Sequence, residues 1–229
     1  MKASEHVTSA VGMFLLLSLS ISGCSSLRGT QGEEGAVIGA AGGAVIGAVI
    51  GNASGSTAKG AIIGAVLGGA AGAAIGSQMD EQAEELADDI DGAEIERVGE
   101  GIQVTFDSGI LFGFDSAELR SEARSNLAKL QKSLDTYPRT DLLVVGHTDA
   151  TGDAGYNQRL SERRSRAAAD YLVSLGLDRG RIKTEGLGEM EPIADNETED
   201  GQAMNRRVEV AIYANEELQA EMKERHPGS

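Results

Sequence analysis

The second half of the chain predicts an α+β fold, a sandwich of two helices on a mixed sheet. Leucine and alanine recur at helical spacing over residues 119–134, and residues 159–175 are strongly helical. Short segments with alternating or wholly apolar side chains lie before, between and after these helices. The elements follow in the order β-α-β-α-β-β, whose first strand is the second strand of an initial hairpin, and this order is typical of helices layered on one sheet.

The strand predictions depend on three different patterns. Two alternating segments around Gly99-Glu100-Gly101 indicate a hairpin, and a short apolar run indicates a buried central strand. The last strand alternates so that Val208, Val210 and Ile212 point inward. The predicted strands cover residues 95–98, 102–106, 142–145, 181–185 and 207–213.

The only cysteine of the chain, Cys24, follows a short apolar run at residues 11–21. One cysteine excludes an internal disulfide framework and a zinc site built from several thiolates. The run has the length of a signal-peptide hydrophobic region and is too short to span a bilayer. Ile21-Ser22-Gly23-Cys24 resembles the processing box of bacterial lipoproteins. The resemblance implies a signal peptide at 1–23, acylation of Cys24 and a lipidated linker at 24–34.

Glycine recurs every fourth residue in two series between Gly35 and Gly76, a stretch that holds 13 of the 31 glycines. Period four places each series on one stripe of a helix, and the residues between the glycines are apolar. We therefore predict a glycine-zipper helical hairpin over 35–76, connected by the polar segment 52–59. Three roles are open for it: an interfacial or thin-membrane hairpin, a homo-oligomerisation element, or a compact spacer. The series are Gly35, Gly39, Gly43, Gly47, Gly51 and Gly60, Gly64, Gly68, Gly72, Gly76.

The formal charge of −16 is concentrated after the glycines, where ten acids and one base lie between residues 80 and 100. This excess argues against a nucleic-acid partner, which needs clustered lysine and arginine. Residues 77–92 are predicted to form a solvated acidic connector, helical over 81–90, and 215–229 a charged C-terminal tail. Neither this segment nor 195–201 has the ligand spacing of a calcium loop, and we predict no metal and no cofactor.

A set of polar motifs follows the predicted central strand. Gly146-His147-Thr148-Asp149 is followed by a loop that contains Gly152, and then by Asn157, Leu160-Ser161 and Arg164 in one helix. These residues resemble the peptidoglycan-binding domain of the OmpA-like family, whose pattern is Gly-His-Thr-Asp, a glycine-containing loop and Asn-x-x-Leu-Ser-x-x-Arg. The resemblance covers about residues 93–214, with further matches in order at 114–119, 186–188, 192–196 and 205–209.

The resemblance implies a binding site for meso-diaminopimelate in the peptide stem of the cell wall. The free end of this residue is zwitterionic, so it needs one carboxylate and one cation in the protein. By the resemblance, Asp149 binds the ammonium and Arg164 binds the carboxylate through its planar fork. The other residues that the resemblance places at or beside the site are Phe114, Asp115, Ser116, Thr148, Asn157, Leu160, Asn205 and Arg206.

A hydrolytic set of His147, Asp149 and Ser161 is the enzymatic alternative, but the chain has no nucleophile-elbow motif and His147 is expected to be structural. The sequence therefore predicts a non-catalytic lipoprotein that tethers the outer membrane to peptidoglycan. Ser25 beside the acylated cysteine implies sorting to the outer membrane, with the domain facing the periplasm. The alternative is an oligomeric, membrane-inserting or pore-forming zipper that uses the same domain as a wall anchor.

Overall fold

The computed structural model describes residues 56–66 and 68–227. The predicted signal peptide, Cys24, the linker and the first glycine series lie outside these residues. The helices are α1 (Thr57–Gly64), α2 (Gly69–Asp89), α3 (Ser108–Leu111), α4 (Ser121–Thr136), α5 (Ala154–Ser174), α6 (Glu199–Asn205) and α7 (Glu216–Arg225). The strands are β1 (Ala93–Val98), β2 (Gly101–Asp107), β3 (Thr140–Gly146), β4 (Ile182–Gly186) and β5 (Arg207–Ala214).

The five strands form one mixed sheet in the order β1-β2-β5-β3-β4. Strand β5 lies antiparallel between β2 and β3, with Val210 opposite Val104 on one side and Val144 on the other. Only β3 and β4 are parallel, and α5 connects them. From β2 onward the main elements repeat the predicted order β-α-β-α-β-β, so the α+β prediction is confirmed.

The main core lies between one face of this sheet and helices α4 and α5. Side chains on alternate positions of the strands point to it, and Val208, Val210 and Ile212 do so as predicted. Leu127 of α4 and Leu172 of α5 are among the buried residues that pack on them. Each fully buried aliphatic side chain of this size contributes about 1.5–3 kcal/mol relative to an exposed one.

Helix α5 begins five residues earlier than predicted because Asp153 caps it. The Asp153 side chain accepts a hydrogen bond from Tyr156 N at 2.8 Å, which satisfies a free donor of the first turn. The apolar periodicity marks only the part of the helix that faces the core. The first turn of α5 has no apolar periodicity, so the sequence pattern did not predict that it is helical.

The second glycine series does not form one helix, so this part of the hairpin prediction is wrong. The chain turns between α1 and α2, where Gly68 and Gly69 have φ of +71° and +60°. These left-handed conformations are easily adopted only by glycine, and two in succession end the helix. The predicted helix over 60–76 is therefore divided between two elements that pack on opposite faces of the sheet.

Helix α1 covers the sheet face that α4 and α5 leave free. Its buried residues pack against alternate residues of β3 and β5 in a second, smaller core formed by Ala58, Ala61, Ile62, Ala65, Leu143, Val145, Ala211 and Tyr213. Two polar contacts fix its N-terminus. Ser56 Oγ donates to Glu209 Oε2 at 3.1 Å, and Glu191 accepts from Thr57 N at 3.1 Å and from Thr57 Oγ1 at 2.6 Å.

The acidic segment is not a free connector, because its helix α2 buries one face in the main core. Met79, Ala83 and Leu86 of α2 are buried there, while the acids occupy its exposed side. The C-terminal segment predicted as a charged tail also forms a helix, α7, which buries Leu218. Among the described residues, no helix combines the length and the apolar character needed to cross a bilayer.

Candidate ligand-binding site

The motif residues meet at the ends of β3 and β4, where two glycines let helix α5 come close to the sheet. Gly146 and Gly186 are paired in the parallel register. A Cβ on Gly146 would lie 2.3 Å from Ser161 O, and one on Gly186 would lie 2.3 Å from Glu162 N. No larger residue fits at either position without a shift of the helix backbone. The first turns of α5 therefore lie against the strand ends, beside the loop that follows β3.

Asp149 lies in this loop with its carboxylate almost wholly buried. Its Oδ1 accepts a hydrogen bond from Thr151 N at 2.9 Å, and its Oδ2 accepts one from Arg206 Nη1 at 2.5 Å. The loop backbone is fixed on both sides of it. Thr148 N donates to Gly188 O at 2.8 Å, and Ala150 N donates to the Asn196 side chain at 3.1 Å. The carboxylate is thus positioned before any ligand binds.

The same contacts keep Asp149 ionised. Burial raises the pKa of the Asp149 carboxyl, but hydrogen bonds from Arg206 and Thr151 lower it further than burial raises it. The resulting pKa lies below its ordinary value. A carboxylate of this kind carries its negative charge through the whole neutral and mildly acidic range, which suits a cationic ligand group.

Arg164 is the buried cation of the site. Its Nε donates to Ser116 O at 2.9 Å, and its guanidinium carbon lies 5.3 Å from the centroid of the Phe112 ring. Burial lowers the pKa of Arg164, while the charges of Asp115 and Tyr156 raise it, and arginine stays protonated in either case. Within residues 56–66 and 68–227 it forms no ion pair. Its outer nitrogens can therefore receive an anionic group.

Asn157 connects the loop after β3 to the loop after β4. Its Nδ2 lies 3.2 Å from both Asp149 O and Thr151 O, and 2.8 Å from Glu189 Oε2. Leu160, one turn later, is buried. Both residues hold the frame of the site, and the amide of Asn157 is already used by protein acceptors.

The segment of Phe114, Asp115 and Ser116 forms the opposite wall. Asp115 has a φ of +53°, and its carboxylate accepts a short hydrogen bond from the Tyr156 hydroxyl. Ser116 contributes its carbonyl oxygen to Arg164, whereas the Phe114 side chain is fully exposed. Through this hydrogen bond, Tyr156 connects helix α5 to the opposite wall of the cleft. It was not among the predicted site residues, although it stands directly before Asn157.

Asn205 and Arg206 have different places at the site. Asn205 is fully buried at the end of α6, and its Oδ1 accepts from Ile193 N at 2.8 Å and Ala194 N at 2.9 Å. It shapes the loop after β4, and its Nδ2 donates to Asn196 Oδ1 at 2.9 Å, which connects it to the cleft. Arg206 instead reaches the cleft directly, because its guanidinium pairs with Asp149.

Thr148 and His147 are buried behind the cleft. Thr148 contributes its backbone N–H to the loop, and its hydroxyl has no partner among the described residues. The imidazole of His147 is 1% exposed and its Nε2 lies 4.0 Å from Glu209 Oε1. Burial and the charge of Arg207 hold the pKa of His147 well below its ordinary value. His147 is therefore neutral and structural, and it does not face the cleft as a base would.

The cleft thus presents the buried carboxylate of Asp149, paired with Arg206, together with the buried guanidinium of Arg164 and several fixed backbone groups. This arrangement can bind a group that carries both a positive and a negative charge. In the described part of the chain, no cluster of histidine, cysteine or acidic side chains could hold a metal ion.

Comparison with known proteins identifies the family of the domain that contains this cleft. The model of the OmpA family matches residues 111–206, which contain every residue of the cleft. The outer-membrane lipoprotein YfiB of Pseudomonas aeruginosa is 37% identical over 115 residues, 50% of this chain and 68% of that protein. The chain belongs to the OmpA family.

The other comparisons include a match to the N-terminal segment and further matches to proteins with a similar domain. The model of the YMGG-like Gly-zipper matches residues 1–80. The probable lipoprotein YiaD of Escherichia coli K12 is 38% identical over 121 residues, 53% of this chain and 55% of its own length. The chain therefore spans about half of that relative. The solved cell wall anchor of the T6SS from Pseudomonas aeruginosa is 34% identical, with a TM-score of 0.54. The match covers 58% of this chain and 97% of the anchor's chain.

Proposed function

We propose that the protein is a non-catalytic lipoprotein that tethers the outer membrane to the cell wall, with its OmpA domain bound to the meso-diaminopimelate residue of peptidoglycan. The observation that carries the proposal is the pair of opposite charges in one cleft. Asp149 is ionised and positioned by Thr151 and Arg206, and Arg164 is buried, with no ion pair to any described residue on its outer nitrogens.

This pair complements the free end of diaminopimelate. The ligand ammonium binds the Asp149 carboxylate, and the ligand carboxylate binds the planar fork of Arg164 in a bidentate manner. Both protein groups are largely removed from water, so each ion pair is stronger than at an exposed surface. The Ser116 carbonyl and the Phe112 ring hold the guanidinium in place before the ligand arrives.

The relatives support the same function. YfiB and YiaD are described as lipoproteins, and the solved structure with 34% identity is described as a cell wall anchor. None of these descriptions is that of an enzyme. The cleft fits binding rather than catalysis as well, because His147 is buried behind it and the Ser161 hydroxyl donates to Gln158 O at 2.8 Å.

Lipid on Cys24 supplies the other end of the tether. The sequence around Cys24 supports acylation, and several acyl chains, at roughly 0.8 kcal/mol per buried methylene, give a firm anchor. Replacing Cys24 by alanine should leave the precursor unprocessed and unlabelled by radioactive palmitate. Labelling of the Cys24→Ala protein would contradict the anchor.

The alternative, a pore built from both glycine series, receives no support from the second series. That series is divided between α1 and α2, and each of these helices packs on the sheet. Only the first series would remain for such a role. Dye release from liposomes by the full chain, and not by residues 56–227, is the result that would favour the pore.

Co-sedimentation with isolated diaminopimelate-type peptidoglycan tests the binding site. We expect the full chain to pellet with the wall, and Asp149→Asn and Arg164→Gln to lower the bound fraction at least tenfold. Asp88→Asn and Arg166→Gln remove the same charges from exposed helix positions and serve as matched controls. Equal sedimentation of the two site variants and their controls would refute the site.

A further inference from the structure

The ion pair between Asp149 and Arg206 raises a question that the proposed function leaves open. Both oxygens of the buried carboxylate already accept a hydrogen bond, Oδ1 from Thr151 N and Oδ2 from Arg206 Nη1. The side chain of Asp149 is only 11% exposed. A ligand ammonium that approaches this carboxylate therefore meets a cation of the protein that is already bound to it.

The two donors differ in their freedom to leave. Thr151 N belongs to the same short loop as the carboxylate and is fixed by it. Arg206 binds through a long side chain that is 40% exposed, so its guanidinium can move into water without disturbing the core. Its backbone is held independently, because Ser108 N donates to Arg206 O at 2.9 Å and Arg206 N donates to Gln202 O at 3.1 Å. The side chain can thus swing while the strand end stays in place.

From this geometry we infer that Arg206 is a built-in competitor, whose guanidinium occupies the ammonium position on Asp149 in the free protein and is exchanged for the ligand ammonium on binding. The inference rests on the proposed function, since it assumes a ligand with an ammonium group. It assigns Arg206 a regulatory role at the site. The Asp149 carboxylate therefore has a cationic partner both before and after binding. Only a ligand that also offers a carboxylate to Arg164 compensates for the loss of the Asp149–Arg206 pair.

The positive charge of Arg206 also acts on the second half of the site. Arg206 lies close enough to Arg164 for its charge to disfavour the Arg164 cation. When Arg206 leaves Asp149, the repulsion on Arg164 falls while a ligand carboxylate arrives there. Exchange at Asp149 and binding at Arg164 are therefore coupled.

The test is a calorimetric titration of the full chain with meso-diaminopimelate at neutral pH, comparing the unmodified protein with Arg206→Gln. Because no internal cation has to be displaced, we expect the variant to bind more tightly, by between about twofold and fivefold, the range that a partly exposed ion pair is worth. Arg206→Lys, which keeps the charge but has a single donor group, should lie between the two. Arg166→Gln, an exposed arginine away from Asp149, controls for the loss of one charge.

A pH series separates competition from a structural effect. Without the hydrogen bond from Arg206, burial leaves the pKa of Asp149 higher, so the affinity of Arg206→Gln should begin to fall at a higher pH than that of the unmodified protein. Unchanged or weaker binding of Arg206→Gln at neutral pH would overturn the inference. Tighter binding would also overturn it if the affinity of the variant began to fall at the same pH as that of the unmodified protein. If the unmodified protein does not bind meso-diaminopimelate at all, it is the proposed function that fails.

Discussion

At the scale of single residues, hydrogen-bond partners distinguish the motif residues that keep atoms directed at the cleft from those that support its frame. Asp149 and Arg164 each keep atoms directed at the cleft, whereas Asn157 and Asn205 use their amides on the protein itself. The resemblance to the OmpA-like family implied this set of residues. It could not predict the Asp149–Arg206 pair or the Tyr156–Asp115 contact, because both join segments that are distant in the sequence.

His147 shows how a motif residue can act on stability alone. Its pKa is held well below the ordinary value by burial and by Arg207, so the folded protein resists protonating it. The unfolded chain takes up a proton below about pH 6.5, and the folded chain does not. The stability that this difference gives is therefore complete at neutral pH and is lost as the pH falls below that value.

We predict that the free energy of unfolding falls more steeply with acid in the unmodified protein than in His147→Asn. Between pH 7.5 and 5.5 the difference between the two should change by about 1.4 kcal/mol, the value of one pKa unit. Urea unfolding at both pH values measures it. Parallel pH dependence of the two proteins would show that His147 is protonated in the folded state.

At the scale of helices and strands, periodicity predicted several of the elements that pack one apolar face in the main core. The helices over 119–134 and 159–175 and the strand with Val208, Val210 and Ile212 inward are of this kind. The glycine series was harder to interpret, since period four alone does not reveal a turn. Gly68 and Gly69 resemble the other glycines in sequence, yet their positive φ separates α1 from α2.

Two neighbouring isoleucines of α1 test whether this helix packs on the sheet. Ile62 is fully buried in the smaller core, and Ile63 is 41% exposed. We expect Ile62→Ala to lower the free energy of unfolding by about 2–5 kcal/mol, as large-to-small changes in a core do, and Ile63→Ala to change it by less than about 0.5 kcal/mol. Chemical denaturation of residues 56–227 provides the comparison. Equal effects would mean that α1 does not cover the second sheet face.

At the scale of the whole molecule, the folded body is larger than the part that resembles the family. The family model begins at residue 111, but the core contains Ile75 and Leu86 of α2 and Leu218 of α7. The boundary predicted at residue 93 came from the extent of the resemblance, and the composition of the acidic segment before it indicated a solvated connector. Charge reports only the exposed side of α2, so composition could not locate the edge of the core.

A truncation series follows from this larger core. Residues 93–214 lack the buried side chains of α2 and α7, each worth about 1.5–3 kcal/mol, and their sum approaches the whole stability of an ordinary domain. We expect residues 56–227 to unfold cooperatively and residues 93–214 to be at least about 5 kcal/mol less stable. Residues 69–227, which lack only α1, should lie between them. Identical urea midpoints for the three chains would contradict this view of the core.

The central claim is that one carboxylate and one guanidinium bind the zwitterionic end of diaminopimelate. Lysine differs from diaminopimelate only by the missing carboxylate at that end, so the two amino acids form a matched pair of ligands. The most direct measurement is calorimetric titration of the full chain with each of them, repeated with Arg164→Gln. We predict that the unmodified protein prefers meso-diaminopimelate by at least about tenfold, or about 1.4 kcal/mol, and that Arg164→Gln abolishes the preference. Equal affinity of the unmodified protein for both ligands, or a preference that survives in Arg164→Gln, would contradict the claim.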